Sequence, residues 1–239
     1  QYTIRGGLTM NSMNFVLKKL SGEENVNIDF DQLLVIGFAG RNIEKTMEHI
    51  RELEEQLGVP APKQIPTIFE CSLELLTQGK DIKFVGNKTS GEVEYIIVKS
   101  GEKIYIGLGS DHTDRELESV SIPKAKQVSP KPIAGELWDY EEVKDHWDQI
   151  RLVSYQTING EEVKYQDGTL SDILPVEKIL SVLTERIGNI DNSIIYSGTV
   201  PVLDGFKYGD NFRSLMIDEA LNRSIEFNYN VNVISEEER

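Results

Sequence analysis

The chain has 239 residues, 39% hydrophobic and 27% charged, with a formal net charge of −15. That length can bury a sizeable core in one large domain or two small ones, and the composition is that of a globular protein. So acidic a surface repels a phosphate backbone, and no Lys/Arg cluster with interleaved aromatics offsets it, so nucleic acid is excluded as a partner.

The single cysteine, Cys71, allows no intrachain disulfide, which suits a reducing, cytoplasmic setting. No apolar run approaches the roughly 20 residues that span a bilayer, so no membrane partner is expected.

The chain opens on Gln1, and both Met10 and Met13 can serve as starts. Residues 1–12 are therefore set aside as an N-terminal extension or a remnant of cloning, and 13–239 are read as a single domain. Leu33-Leu34-Val35-Ile36-Gly37-Phe38-Ala39-Gly40 is a short apolar run closed by glycines, the pattern of a buried strand. Ile43, Met47, Ile50, Leu53 and Leu57 form one helical stripe, and Gly58-Val59-Pro60 stops the helix.

From residue 81 the pattern is β-type. Residues 82–86, 93–98, 103–107 and 149–155 read as strands between turn residues. Asn159-Gly160, between two such runs, is a hairpin signal. Residues 141–148 and 175–187 read as helices, and strands resume from Asn192. Many strands with a few flanking helices, and no Pro/Ser/Gly-rich linker, give an α+β fold with a large mixed or antiparallel sheet that curls.

Glu92 and Glu94 are two apart, which on a strand puts both carboxylates on one face. With Val93 facing the core, that face meets a cleft or solvent; taken alone, the pair is most simply a solvated strand face. Asp111 follows the next strand, and a hairpin returns it to the same place. Carboxylates repel one another, so grouping them costs free energy unless a cation or proton relieves it. Three hard oxygen ligands suit Mg2+ or Mn2+, and the absence of His or Cys from the trio disfavours zinc.

His49 and Glu52 are i, i+3 on the helix. A carboxylate that fixes one imidazole nitrogen raises the basicity of the other, the wiring of a general base. On spacing alone, a surface His beside a chance Glu in an acidic helix explains them better. His112 adjoins Asp111 and can orient it; His146 reads as structural. Cys71 has no convincing His partner, and no Gly-x-Ser-x-Gly, Gly-x-Gly-x-x-Gly or Walker loop is present.

The order of these segments resembles the fumarylacetoacetate hydrolase (FAH) superfamily, from about residue 33 to 230. The resemblance rests on Gly40-Arg41-Asn42 followed by His49-Ile50-Arg51-Glu52, on Pro66-Thr67-Ile68-Phe69, and on Gly91-Glu92-Val93-Glu94. It continues through Ser110-Asp111-His112-Thr113-Asp114-Arg115, Lys126 with Ser129-Pro130-Lys131-Pro132, and Asn159-Gly160-Glu161 with Gln166. Ser197-Gly198-Thr199-Val200-Pro201 and Tyr208-Gly209-Asp210 close the set. More narrowly, GSDHTDRELE, SGEVE and GTVP look like the bacterial DUF2848-type branch. Three positions depart from the family pattern: Glu70-Cys71-Ser72 stands where Lys-Pro is common, Lys131 replaces a glycine, and Val200 separates Thr199 from Pro201.

The resemblance implies an FAH-like mixed β-sheet roll with flanking helices, and a divalent metal, Mg2+ or Mn2+, on Glu92, Glu94 and Asp111. It implies His49 with Glu52 as the group activating water, Lys126 as an oxyanion holder, and Arg41, Arg115, Gln166 and Thr199 as substrate-binding residues. The implied substrate is a 2-oxo acid or 1,3-dicarbonyl compound, the leading reaction C–C bond hydrolysis, and the implied assembly a homodimer. Decarboxylation, isomerisation or hydration on the same site stays open. So do a non-catalytic protein that binds a metal-chelated small acid, and a structural domain whose acids are only surface charge.

Overall fold

The computed structural model describes residues 3–5 and 8–239, with side chains from residue 10 onward except 56 and 57. Residues 1, 2, 6 and 7 of the segment set aside above lie outside the described residues. From Leu8 the chain is already in a strand, β1 (Leu8–Lys19), which pairs antiparallel with β2 (Gly22–Phe30). This hairpin is not apparent from the sequence, because polar residues such as Asn25, Asn27 and Asp29 alternate with its few apolar ones.

β3 (Gln32–Gly37) is the expected buried strand, and α1 (Ile43–Leu57) has the expected bounds. The Asn42 side chain accepts from Lys45 N at the start of α1, and Gly58 ends it in the left-handed conformation that glycine adopts without strain. Then come β4 (Thr67–Cys71), β5 (Asp81–Val85), β6 (Val93–Ser100) and β7 (Lys103–Ser110). A short helix, α2 (Ile122–Val128), precedes β8 (Glu136–Asp139).

The helix expected over 141–148 is instead one α-turn, Tyr140–Val143, and a 3-10 stretch, Lys144–Gln149, broken at His146. β9 (Arg151–Ile158) and β10 (Glu161–Thr169) form the hairpin at Asn159-Gly160, both at positive φ as a type I′ turn requires. α3 (Val176–Ile187) and three strands follow: β11 (Asn192–Thr199), β12 (Asn211–Asp218) and β13 (Arg223–Ile234).

Among the described residues the strands form two main sheets. The larger, mixed sheet runs β1-β8-β7-β6-β11-β3-β4, with Thr3–Arg5 outside β1 and β2 branching from it. The smaller runs β10-β9-β12-β13-β5. One core fills the space between them, with Tyr95, Ile97 and Ile106 of the large sheet meeting Leu152, Met216 and Ile225 of the small one.

A second core covers the other face of the large sheet, where Phe15, Leu17, Ile28 and Phe30 of the β1–β2 hairpin lie on Val98 and Tyr196. β6 is therefore buried on both faces, by the small sheet on one and the β1–β2 hairpin on the other. A third, aromatic cluster of Phe84, Tyr165, Phe212 and Tyr229 sits where the sheets meet. No helix among the described residues is long and apolar enough to cross a membrane.

Candidate metal centre

The β6–β7 hairpin brings the acids together. Its register pairs Val93 with Ser110 and Glu94 with Gly109, and Asp111 N donates to Glu92 O at 3.0 Å, so Asp111 lies across from Glu92. Glu92, Glu94 and Asp111 each offer an oxygen, and these oxygens lie within 4.8 Å of one another. The expectation that Glu92 and Glu94 face a cleft or solvent together needs correction. Glu94 and Asp111 are each 1% exposed, and only the Glu92 side chain, at 16%, reaches the boundary. The reason is that packed cores cover both faces of β6, which leaves it no solvated one.

Two glycines make the arrangement possible. A Cβ on Gly91 would lie 2.5 Å from Ser110 Oγ and 2.7 Å from Tyr229 OH, so only glycine lets the chain enter Glu92 there. Gly198, at φ +103°, sits in a register shift between β6 and β11, and its N–H donates to Glu94 Oε2 at 3.0 Å. A Cβ on Gly198 would meet Ala39 Cβ at 2.8 Å, so the loop that leads into α1 passes directly beside the group holding Glu94.

Cations surround the trio. Lys126, from α2, donates to Asp111 Oδ2 at 2.6 Å and to Thr113 Oγ1 at 3.1 Å, and lies 3.5 Å from Glu92 Oε2. Arg115 donates to Glu92 Oε1 at 2.8 Å, to Glu118 Oε2 at 3.1 Å and to Ser90 Oγ at 2.8 Å, with Phe206 stacked 4.4 Å from its guanidinium carbon. Lys131, which sequence reasoning did not place in the site, is wholly buried; its Nζ lies 3.1 Å from Asp111 Oδ1 and donates to the carbonyls of His112 and Ser129. The Lys131–Asp111 approach lacks hydrogen-bond geometry, so Oδ1 has charge compensation but no donor.

These contacts set the protonation preferences. Burial, and then the charges of Asp111 and Glu92, push the Glu94 carboxyl well above its usual range, opposed by the Gly198 N–H and by Lys126. Burial acts upward on Asp111 too, but Lys126 and Lys131 outweigh it and hold the group at about 2. Burial pulls Lys131 down against the attraction of Asp111, whereas at Lys126 the pull of Asp111 and Glu92 overcomes burial and raises it.

His112 is held by Tyr229 OH and Thr89 Oγ1 and stacks on Phe84 at 3.7 Å; burial, then the nearby Arg115, hold it well below the ordinary histidine value. It thus orients the chain at Asp111 as a neutral ring, and its carbonyl serves Lys131.

The remaining candidates fall into two groups. Gln166 is fully buried, and its amide is saturated: Oε1 accepts from Val93 N and Ser154 Oγ, while Nε2 donates to Thr199 Oγ1 and Val200 O. Thr199 Oγ1 in turn donates to Val93 O at 2.7 Å. Both side chains fasten β11 and β10 to the start of β6. Arg41 is likewise committed, to Asp148 and to the carbonyls of Leu170 and Ile173. His49 and Glu52, by contrast, are 62% and 57% exposed, with Nδ1 4.0 Å from Oε2, beyond hydrogen-bond reach. His146 is structural, bonded to the buried Asp218 at 2.8 Å.

An all-oxygen donor set, and a buried carboxylate oxygen with no donor of its own, fit a hard divalent cation. Residues 36–229 match the family model described as "Protein of unknown function (DUF2848)". Comparison with the curated proteins gives no significant match.

Among solved structures the fold resembles a 2-keto-3-deoxy-D-arabinonate dehydratase in its apo form (17% identity, TM-score 0.60, 85% of this chain and 73% of that one). It also resembles Cg1458 (12%, 0.61, 95% and 99%). A further likeness is to the dehydratase complexed with magnesium and 2,5-dioxopentanoate (16%, 0.59, 87% and 74%). At such identities the likeness shows the FAH-like fold and nothing finer.

Proposed function

The chain belongs to the DUF2848 family, and on that premise we propose that it is a divalent-metal-dependent enzyme acting on a 2-oxo acid or 1,3-dicarbonyl compound. The observation that carries this reading is the meeting of three carboxylates, each offering an oxygen within 4.8 Å of the others, with Glu94 and Asp111 buried. Glu92, Glu94 and Asp111 would hold Mg2+, or Mn2+. The bound ion would supply a Lewis acid for a chelating substrate.

The chain's own residues supply the rest. Gly198 N–H and Arg115 fix Glu94 and Glu92, so the donor set is preorganised. Lys126 places a buried ammonium beside both Asp111 and Glu92, where it can donate to a substrate oxygen as negative charge develops on it. Thr199, beside Glu94 in the β6–β11 register, bounds the substrate's carboxylate side. Gln166 acts by holding Thr199 and Val93, and Arg41 by anchoring the loop before α1.

His49, with Glu52, takes a proton from water. Both now lie in solvent, and α1 starts from the loop that touches Gly198, so the dyad acts by closing on bound substrate.

The reaction we favour is C–C hydrolysis of an acylpyruvate-type substrate. Dehydration of a 2-keto-3-deoxy acid is the second reading, favoured by the fold likeness to the dehydratase. The test is a thermal-shift titration with Mg2+ and Mn2+, with and without oxalate, on wild type and Glu94→Gln, since a ligand that binds only the folded state raises Tm. Stabilisation by metal, increased by oxalate and lost in the variant, is the expected result, and a panel of acylpyruvates and 2-keto-3-deoxy acids then separates the two reactions. Identical responses of both proteins would remove the metal site.

A further inference from the structure

Lys131 is a basic side chain the site cannot expel. Its side chain has no exposed surface. Its backbone lies in a two-residue ladder parallel to Leu76–Thr77, and Tyr196 OH donates to the carbonyls of both Lys131 and Pro132. At the other end, Nζ donates to His112 O at 2.8 Å and Ser129 O at 3.2 Å. Anchored at both ends, it cannot swing to solvent when another cation arrives. The nearest negative charge is Asp111 Oδ1, 3.1 Å away, the same oxygen that lacks a hydrogen-bond donor.

The charge balance follows. With every carboxyl ionised, as a bound metal would hold them, Glu92, Glu94, Asp111 and Glu118 face Arg115, Lys126 and Lys131 in one contact network, four acids against three cations. One net negative charge is left, half of what a divalent cation carries. A metal entering alone leaves a surplus positive charge in a dry site, where uncompensated charge is costly. An anionic ligand that chelates the metal removes that surplus; an uncharged ligand with the same two oxygens does not.

We propose that Lys131 makes metal capture conditional on a negatively charged chelating ligand, so that magnesium and the anion bind as a pair. This rests on the reading that the triad holds a metal. Lys131 is a positioning and specificity residue in this scheme and need not touch substrate. The reciprocal consequence is that the anion binds poorly without metal, because coupling between two ligands is symmetric in free energy.

Isothermal titration calorimetry of the full chain tests it, with Mg2+ titrated alone, with saturating oxamate (a singly charged analogue of a 2-oxo acid) and with acetoin (uncharged). In wild type, oxamate should tighten Mg2+ by at least about tenfold and acetoin by less than about twofold. Lys131→Gln retains N–H donors for the two carbonyls and removes the charge; it should bind Mg2+ alone at least about tenfold more tightly, with the oxamate effect reduced to less than about threefold.

Equal Mg2+ affinity in wild type with and without oxamate would overturn the inference while leaving the metal site standing. So would an equal effect of acetoin, or an undiminished oxamate effect in the variant. No Mg2+ binding under any condition would overturn the metal reading and the inference together. Because the oxamate and acetoin arms are read on wild type, the proposal stays falsifiable if Lys131→Gln does not fold.

Discussion

The triad and helix α1 are both charged regions, yet the protein treats them oppositely. At the triad nearly every polar atom is spoken for. Glu94 has the Gly198 N–H, Asp111 has Lys126, Glu92 has Arg115, and the segment between them is pinned by Gln166 and Ser110. On α1, His49 and Glu52 stand in solvent 4.0 Å apart. The first region is built into two sheets, whereas the second is a helix that starts at the loop beside Gly198, buries Ile50 and turns His49 and Glu52 to solvent. On the proposed reading, the groups that hold fixed geometry sit on strands, and the groups that would move sit on an exposed helix. On this reading metal binding and proton transfer are separable by mutation.

Glu94→Gln is the largest test of that division. The amide keeps an acceptor for Gly198 N–H and removes one of three mutually repelling charges, which burial and its neighbours already disfavour. Metal affinity should fall at least about 100-fold, beyond what loss of a group merely supporting a ligand costs, while the metal-free protein melts at a higher temperature than wild type. Calorimetric Mg2+ titration and a melting curve read both. A lower metal-free Tm would mean that the Glu94 carboxylate contributes stability rather than a site.

His49→Ala probes the other region. It should cost about 10²–10⁴ in turnover, the usual contribution of a positioned acid or base. Unfolding free energy should change by no more than about 0.5 kcal/mol, as for other exposed positions, and Mg2+ affinity should hold. Steady-state kinetics on whichever substrate turns over, with a urea melt beside it, decides this. Full activity in the variant would move the base elsewhere and leave α1 without a catalytic role.

How much of this was legible in the sequence follows the same divide. The hairpin that joins Glu94 to Asp111 was readable because alternation and turn residues are local, and the helix over 43–57 because its stripe and its Gly58 stop are local too. Lys131 was not. It stands between two prolines, and it reaches Asp111 through long-range pairings, a two-residue ladder with Leu76–Thr77 and a bridge from Ile133 to Gly109. Burial of the carboxylates was missed for a related reason: Glu92-Val93-Glu94 reads as a half-exposed strand until the long-range pairing of β6 with both β7 and β11 makes it central. The role proposed for Lys126 came from the family resemblance alone, whereas His49 carried a local signal, its i, i+3 spacing to Glu52, too weak to decide by itself.

Gln166→Ala sharpens the comparison from the rigid side. It strips partners from Val93 N, Ser154 Oγ and Val200 O in one step. Each buried group left unsatisfied costs about 1–3 kcal/mol, so a loss of about 3 kcal/mol in a urea melt is expected, with Gln166→Glu no better because Oε1 and Nε2 have opposite tasks. A loss below about 1 kcal/mol would show that water replaces the amide and that the region is wetter than its contacts imply.

Cys71 gives the smallest effect and the finest probe of that dryness. It lies on β4, 4% exposed, on the side of the large sheet that feels Lys131 and Asp111. Burial pushes its thiol up to about 11, with Lys131 pulling the other way. The thiolate is the reactive species, and at pH 8 only about one thiol in a thousand would carry the charge. Native protein should therefore resist a disulfide reagent such as DTNB for hours at pH 8 and take up one equivalent once unfolded in guanidinium. Labelling within minutes in the folded state would mean that water reaches the back of the metal centre. The neighbouring Lys131 would then be solvated, and its hold on Asp111 too weak to govern how the metal binds.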